Sequence, residues 1–266
     1  MLIDRYDAFL LDLDGVLYRG NEPIAGAAEG VAALREADKG IAFLTNNSSA
    51  TPERIVEHLA AVGIGAEASQ VETSALATAS LLAERYVERA YVVGEEGLAD
   101  ALLSAGIGVA RRSDVGASLP EVTVVVVGLD READYASLRT ASMLVDAGAS
   151  LVAANPDTSF PAPGGARWPG AGALLAAIEA ATGVRAEVVG KPNAPIFVSA
   201  LRRAGGGRPL VIGDRLDTDI AGAAALGWDS LLVLTGIDDR DGAAKAPARP
   251  TYVGQTLSCL VAPGFA

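Results

Sequence analysis

The chain has 266 residues, 50% of them hydrophobic, and a formal net charge of −12. This supplies apolar residues for one large core or two smaller ones, and the absence of a basic patch argues against a nucleic-acid partner. No apolar run approaches the ~20 residues of a membrane span, so no membrane partner is expected. A lone cysteine, Cys259, excludes an internal disulfide, and the N-terminus shows no secretory signal pattern, which together predict a cytoplasmic protein.

The first predicted strand ends in two acidic residues. The apolar run Ala8–Leu11 precedes Asp12 and Asp14, and the chain then turns at Gly15. Ligands of parallel sheets bind at the carboxyl ends of the strands. Two carboxylates this close repel each other unless a cation or a proton lies between them. The pair predicts a Mg²⁺-assisted site with one aspartate acting as nucleophile, and two solvated carboxylates before a turn are the alternative.

The second predicted strand, Ile41–Leu44, is followed by a segment rich in hydroxyl and amide groups. We expect Thr45 and Asn46 to donate hydrogen bonds to an oxyanion, with Thr45 as the preferred donor because it is the first residue past the strand. A loop with a helix cap is the alternative interpretation. The helix predicted over Pro52–Val62 carries the only histidine, His58, which we expect to face solvent.

A second α/β module is predicted in the middle of the chain. After a long Ala/Leu-rich helix over Ser69–Ala90, strands and helices alternate again within residues 80–186. The long segment Asn155–Gly172 is rich in proline and glycine, and we expect an ordered loop there. It carries Phe160 and Trp168, the latter expected as a buried anchor.

Two further strands predict polar side chains at their carboxyl ends. Lys191 follows the predicted strand Glu187–Val189, and Asp214 follows Leu210–Ile212. Asp219 lies a few residues further along, before a predicted helix. A lysine just past a strand is usually solvated, but here it is a cation among acidic strand ends.

Strands from both ends of the chain thus direct polar residues to one sheet edge, and phosphoryl transfer is the chemistry that fits them. Asp12 would attack phosphorus, while Mg²⁺ held by carboxylates would spread the charge. Lys191 and Thr45 would stabilise the phosphoryl oxygens.

The segments DLDGVL, TNN, GKP and GDRLDTD, in this order, resemble the four motifs of the haloacid dehalogenase (HAD) superfamily. NPD at Asn155–Asp157 and PGAGALLAAIEAATG at Pro169–Gly183 extend the resemblance over the whole chain, to the NagD-like class IIA phosphatases. The resemblance implies an α/β fold, a Rossmann-like doubly wound parallel sheet core (1–79 and 187–266) with an inserted α/β cap domain of the C2 type (80–186). Similar proteins are often dimers through the cap, so a homodimer is a further expectation.

The resemblance also implies a role for each motif residue. Asp12 would form an aspartyl-phosphate, and Asp14 would protonate the leaving oxygen and then deprotonate the attacking water. The remaining residues divide into metal and phosphate ligands. The metal would be held by Asp12, the backbone carbonyl of Asp14 and Asp214, with Asp219 in support; phosphate would be bound by Thr45, Asn46 and Lys191.

The cap would close over the site and select the substrate. Phe160 falls where family members place a specificity-determining side chain, and here that side chain is apolar and aromatic. Glycerol 3-phosphate is the expected substrate, with 2-phosphoglycolate, pyridoxal phosphate, nucleoside monophosphates and sugar phosphates as alternatives. A non-catalytic phosphate-ligand sensor is the alternative of another class. Phosphomutase or dehalogenase activity is disfavoured, because a mutase must keep water from the aspartyl-phosphate and Asp14 is placed to activate water.

Overall fold

A computed structural model describes residues 1–116, 118–161 and 165–264 of the chain. Within these ranges, no helix combines the length and the apolar character needed to cross a membrane.

The chain divides into two compact units. The second unit, Asn46–Thr51 and Thr73–Gly190, is inserted in sequence between the segments that build the first. The first unit consists of Met1–Thr45, Pro52–Glu72 and Lys191–Ala266. The observed second unit extends beyond residues 80–186 on both sides, and the assignment of catalytic and cap roles to the units stays a prediction.

The first unit is built on a six-stranded sheet. Its strands, in spatial order, are β15 (Tyr252–Gly254), β14 (Asp229–Val233), β13 (Pro209–Gly213), β1 (Ala8–Asp12), β4 (Gly40–Thr45) and β5 (Val71–Thr73). β1 pairs in parallel with β4 on one side and with β13 on the other. The chain therefore builds the sheet outward from β1 in one direction and later in the other, which makes the carboxyl end of β1 a topological switch point where ligands bind.

Helices and one short hairpin complete the first unit. The hairpin pairs β2 (Tyr18–Arg19) with β3 (Glu22–Pro23). The helices are α1 (Ala27–Glu36), α2 (Pro52–Ala61), α7 (Ala194–Arg203), α8 (Ala221–Ala225) and α9 (Arg240–Lys245), with a π-helical turn at Leu216–Ile220. Leu10, Phe43 and Phe197 are fully buried between sheet and helices. An apolar core of this kind holds the strands rigidly and leaves their polar carboxyl ends to carry the site.

The second unit has its own five-stranded sheet. Its strands, in spatial order, are β12 (Glu187–Val188), β9 (Ser150–Ala153), β8 (Val124–Val127), β6 (Arg89–Val93) and β7 (Gly108–Ala110). Its helices are α3 (Ser74–Glu84), α4 (Glu96–Ser104), α5 (Tyr135–Asp146) and α6 (Ala171–Thr182). Every strand of this sheet pairs in parallel with its neighbours. Together with the first sheet, this confirms the predicted Rossmann-like parallel α/β fold.

Two predicted elements differ from the structure. The helix predicted over Ser69–Ala90 is replaced at its start by the strand β5, and α3 begins only at Ser74. Thr73 ends the strand, and its hydroxyl accepts a hydrogen bond from the amide of Leu76, at 3.1 Å, which caps the helix. The predicted loop Asn155–Gly172 contains an antiparallel hairpin of β10 (Ser159–Pro161) and β11 (Arg167–Pro169). Residues 162–164 of that loop lie outside the described residues.

Candidate active site

Three buried carboxylates lie together in the first unit. Asp12 is the last residue of β1, Asp214 directly follows β13, and Asp219 lies in the π-helical turn. One oxygen from each lies within 4.8 Å of the others. The unusual turn fits a functional position, since π-helical turns are frequent at such sites. The predicted convergence of strand ends is thus present for Asp12 and Asp214, whereas the strand before Lys191, β12, belongs to the sheet of the second unit.

The donor set fits a hard divalent cation. Oδ1 of Asp214 is buried and accepts no hydrogen bond within the described part of the chain. A buried polar atom without a partner costs about 1–3 kcal/mol, so such atoms are rare unless an ion or water satisfies them. Carboxylate oxygens are the ligands that Mg²⁺ prefers in proteins. The carboxylate of Asp14 is not part of this cluster, which leaves its backbone carbonyl as the group predicted to contribute.

Two glycines allow the backbone to approach the Asp214 side chain closely. A Cβ atom at either Gly15 or Gly236 would collide with the Asp214 carboxylate. Gly15 also has φ = +84°, which L side chains rarely adopt. The amide of Ile237 donates a hydrogen bond to Asp214 Oδ2 at 2.8 Å. The carboxylate is therefore fixed by backbone from two loops.

Lys191 supplies the positive charge of this cluster. Its Nζ lies 2.7 Å from Asp12 Oδ1 and 2.6 Å from Asp219 Oδ1, and the residue is only 3% exposed. Burial alone would lower the pKa of Lys191, but the two carboxylates outweigh this effect and raise its pKa. Lys191 therefore stays protonated, so this acidic chain keeps a fixed cation among these carboxylates.

Burial raises the pKa values of the three carboxyl groups, because it disfavours their charged form. Desolvation raises the pKa of Asp12, against the opposing charge of Lys191. Desolvation and the negative charge of Asp219 raise the pKa of Asp214 to about 6. Desolvation also raises the pKa of Asp219 to about 6, again opposed by Lys191. Three carboxylates with one lysine leave excess negative charge, which a divalent cation would neutralise.

Asp14 lies beyond the end of β1, where the chain enters the hairpin β2–β3. Desolvation raises its pKa, whereas hydrogen bonds from the backbone amides of Gly20 and Gly15 and the nearby charges of His58 and Arg19 lower it. A carboxyl group with a raised pKa exchanges a proton more readily near neutral pH, which suits general acid–base work.

The predicted phosphate ligands Thr45 and Asn46 belong to different units. Thr45 is the last residue of β4, so the expectation that it lies just past the strand is wrong by one residue. In the second unit, the Asn46 side chain donates a hydrogen bond to Asp157 Oδ2 at 3.1 Å. The backbone carbonyl of Asn46 accepts a hydrogen bond from Asn155 Nδ2 at 2.7 Å.

Phe160 lies in β10 of the second unit and contacts Trp168 edge to face, with ring centroids 6.0 Å apart. Trp168 is 47% exposed, so its expected role as a buried anchor is wrong. The short antiparallel hairpin holds both rings on paired residues, because Phe160 and Trp168 are register partners. The hairpin thus presents a partly exposed aromatic surface.

The sequence did not predict the contacts made around Asp14 and Gly15. His58 was expected to face solvent, but its ring lies against Tyr18 and its Nε2 lies 2.8 Å from the Gly20 carbonyl oxygen. Thr235 was not singled out, although its hydroxyl donates to the Gly15 carbonyl at 2.6 Å. The signal for Thr235 was its place just after the strand β14.

Comparisons with known proteins agree with this geometry. Residues 9–108 match the family model for haloacid dehalogenase-like hydrolases, and residues 188–260 match a second HAD-hydrolase-like model. The chain is 37% identical to D-glycerol 3-phosphate phosphatase of Mycobacterium tuberculosis, over 97% of this chain and 72% of that protein. It is 35% identical to acid sugar phosphatase of Staphylococcus epidermidis, over 97% of this chain and 98% of that protein.

Solved structures show the same likeness. Glycerol phosphate phosphatase from M. tuberculosis, in complex with magnesium, matches with a TM-score of 0.90 and 36% identity, covering 97% of this chain and 77% of that chain. NagD from Escherichia coli K-12 matches with a TM-score of 0.86 and 31% identity, covering 95% of this chain and 97% of that chain.

The fold and the carboxylate cluster define a phosphoric monoester hydrolase that uses Mg²⁺ and acts on small-molecule phosphates. The chain belongs to the haloacid dehalogenase superfamily, in its NagD-like group of class IIA.

Proposed function

We propose that this enzyme hydrolyses small polyol phosphates, with glycerol 3-phosphate as its substrate, through an aspartyl-phosphate on Asp12. One observation carries the chemistry: the ion pair of Lys191 with Asp12 at 2.7 Å, beside the buried and unpartnered Oδ1 of Asp214. Relatives over nearly the whole chain are named D-glycerol 3-phosphate phosphatase and acid sugar phosphatase, which supports this substrate class.

Each of the chain's own groups has a role in this proposal. The Asp12 carboxylate attacks phosphorus, and Lys191, which is held against it, binds the phosphoryl oxygens together with Thr45 and Asn46. Asp14 gives its proton to the departing alkoxide and later takes one from the attacking water. Asp12, Asp214, Asp219 and the carbonyl of Asp14 would hold Mg²⁺. The metal would supply charge neutralisation at the phosphoryl group.

The proposal also covers substrate contact by the β10–β11 hairpin, a homodimer and the cellular location. Phe160 would contact the part of the substrate beyond the phosphate, and its partly exposed aromatic partner Trp168 supports a substrate-contacting role for the hairpin. A homodimer through the second unit and a cytoplasmic location are also proposed. The sensor alternative has no observation in its favour, because every position of the chemistry is occupied by a competent group.

The test is phosphate release from a panel of phosphomonoesters, with Mg²⁺ and with EDTA. Glycerol 3-phosphate, 2-phosphoglycolate, pyridoxal phosphate, a nucleoside monophosphate and a sugar phosphate form the panel. We expect metal-dependent turnover, fastest with glycerol 3-phosphate, and its loss in Asp12→Asn. Faster turnover of another compound would overturn the substrate, and turnover retained in Asp12→Asn would overturn the mechanism.

A further inference from the structure

The hairpin β2–β3, which follows Asp14, has little stability of its own. Each strand is two residues long, and isolated two-stranded hairpins are marginal in water. Its turn contains Gly20 at φ = +58°. Glycine has the least restricted backbone conformation of the amino acids. Tyr18 of this hairpin forms an isolated β-bridge with Asp14, and its carbonyl accepts a hydrogen bond from the amide of Gly15 at 2.8 Å. The position of the hairpin therefore affects a group that must move protons.

One side chain of α2 contacts this turn at two points. The His58 ring lies against the Tyr18 ring, with centroids 4.4 Å apart and planes inclined by 35°. Nε2 of His58 lies 2.8 Å from the Gly20 carbonyl oxygen. A carbonyl oxygen only accepts hydrogen bonds, so Nε2 is the donor and carries a proton.

The two contacts link α2 to the hairpin that pairs with the acid–base residue. His58 Nε2–H donates to the Gly20 carbonyl, and the His58 ring lies against Tyr18, which forms a β-bridge with Asp14. A second contact fixes the neighbouring part of the hairpin, where Arg19 Nε donates to the Thr235 carbonyl at 2.6 Å.

We propose that His58 is a positioning residue, which holds the Gly20 turn so that Asp14 is oriented to protonate the leaving oxygen. This inference rests on the acid–base role of Asp14 stated under the proposed function. In the step concerned, the bond from phosphorus to the leaving oxygen breaks, the bond from Asp12 to phosphorus forms, and the Asp14 proton moves to the departing oxygen. Misplacement of a general acid slows that step without altering substrate binding.

The experiment uses two substrates that differ in their need for this proton. An alkoxide leaves poorly without a proton, whereas p-nitrophenolate leaves without one, so an acid is needed for glycerol 3-phosphate and not for p-nitrophenyl phosphate. His58→Phe keeps a ring beside Tyr18 and removes the donor, whereas His58→Gln places an amide donor where Nε2 lies. Glu57→Ala, an exposed neighbour on α2, is the matched control.

We expect His58→Phe to lower kcat/KM about tenfold for glycerol 3-phosphate and by less than about twofold for p-nitrophenyl phosphate, with KM nearly unchanged. His58→Gln and Glu57→Ala should stay within about threefold of the unaltered enzyme with both substrates. The proposal would be overturned if His58→Phe lost equally with both substrates, or if His58→Gln lost as much as His58→Phe. Thermal melts show whether each variant is folded.

Asp14→Asn separates this inference from the proposed function. If Asp14→Asn shows the loss for glycerol 3-phosphate and His58→Phe does not, the positioning role of His58 fails while the mechanism stands. If Asp14→Asn shows no difference between the two substrates, the acid–base role of Asp14 fails, and the inference fails with it.

Discussion

Replacing Lys191 by methionine tests the electrostatics of the site. The change keeps an unbranched side chain of similar length but leaves Asp12 and Asp219 buried without their cation. Removal of one partner from a buried ion pair costs about 3–5 kcal/mol in the free energy of unfolding. Loss of a group that stabilises developing charge lowers kcat by about 10²–10³.

The pH dependence of this destabilisation has a definite sign. The folded-state pKa of Asp219 is already about 6 with the lysine present, and its removal raises that pKa further, whereas the unfolded value is about 4. The folded variant therefore binds more protons than the unfolded chain between these values, and its stability rises as pH falls. Lys191→Met is therefore destabilised most at a pH above the folded-state pKa of Asp219, and the loss of stability becomes smaller below that pKa.

The assay is urea unfolding of Lys191→Met in EDTA at about pH 7.5 and about pH 5.5. EDTA prevents a metal from replacing the lost charge, and added Mg²⁺ should then recover part of the stability. Lys245→Met, at an exposed lysine of α9, is the control and should differ from the original chain by less than about 0.5 kcal/mol. A loss below about 1 kcal/mol at the higher pH would refute the argument, since the carboxylates would then not depend on Lys191.

Three further changes test the close packing of the site, a salt bridge and the core. Gly236→Ala places a methyl group against the Asp214 carboxylate. In a Mg²⁺ titration, half-maximal activity should then require an Mg²⁺ concentration at least about tenfold higher. Glu95→Gln removes the bidentate pair with Arg131, whose hydrogen bonds lower the pKa of Glu95. Urea unfolding should show a free energy of unfolding lower by about 0.5–1 kcal/mol at neutral pH. The difference should disappear as pH falls through that lowered pKa, because Glu95 is then protonated in the original chain as well. Leu10→Ala, in the buried strand β1, should cost about 2–5 kcal/mol in the same assay.

Each of these changes has a control that alters the same residue type elsewhere. Gly116→Ala adds a methyl group in open space and should leave metal dependence unchanged. Glu132→Gln and Leu103→Ala alter exposed side chains and should change stability by less than about 0.5 kcal/mol. An effect of a control equal to that of its paired variant would contradict the corresponding argument.

The local sequence predicted the strand ends because their signals are local. Asp12 ends the buried strand β1, and Asp214 directly follows the buried strand β13. The carboxyl ends of parallel strands share one edge of the sheet. These predictions needed no knowledge of which surfaces pack together. The contact of Lys191 with Asp12 does not follow from this rule, because the strand before Lys191, β12, pairs with β9 in the sheet of the second unit.

Other features were missed because they depend on contacts distant in sequence or on very short elements. Strand β5 has three residues and adjoins a segment with strong helical periodicity, so the helix pattern obscured it. The contact of His58 with Gly20 joins residues 38 positions apart and leaves no periodic signal. The hydrogen bond of Asn46 with Asp157 is likewise set by the fold of the second unit.

The most direct test of the account is to identify the residue that carries the phosphoryl group. Asp14→Asn should slow the attack of water on the aspartyl-phosphate, whereas p-nitrophenolate leaves without a proton from Asp14. An acid quench during turnover of p-nitrophenyl phosphate with Mg²⁺ should therefore trap the intermediate. Borohydride reduction converts an acyl phosphate into an alcohol, and peptide mass spectrometry then locates the site. We predict reduction at Asp12 alone. Reduction at another carboxylate, or none in a variant that still turns over, would contradict the assignment of Asp12 as the nucleophile.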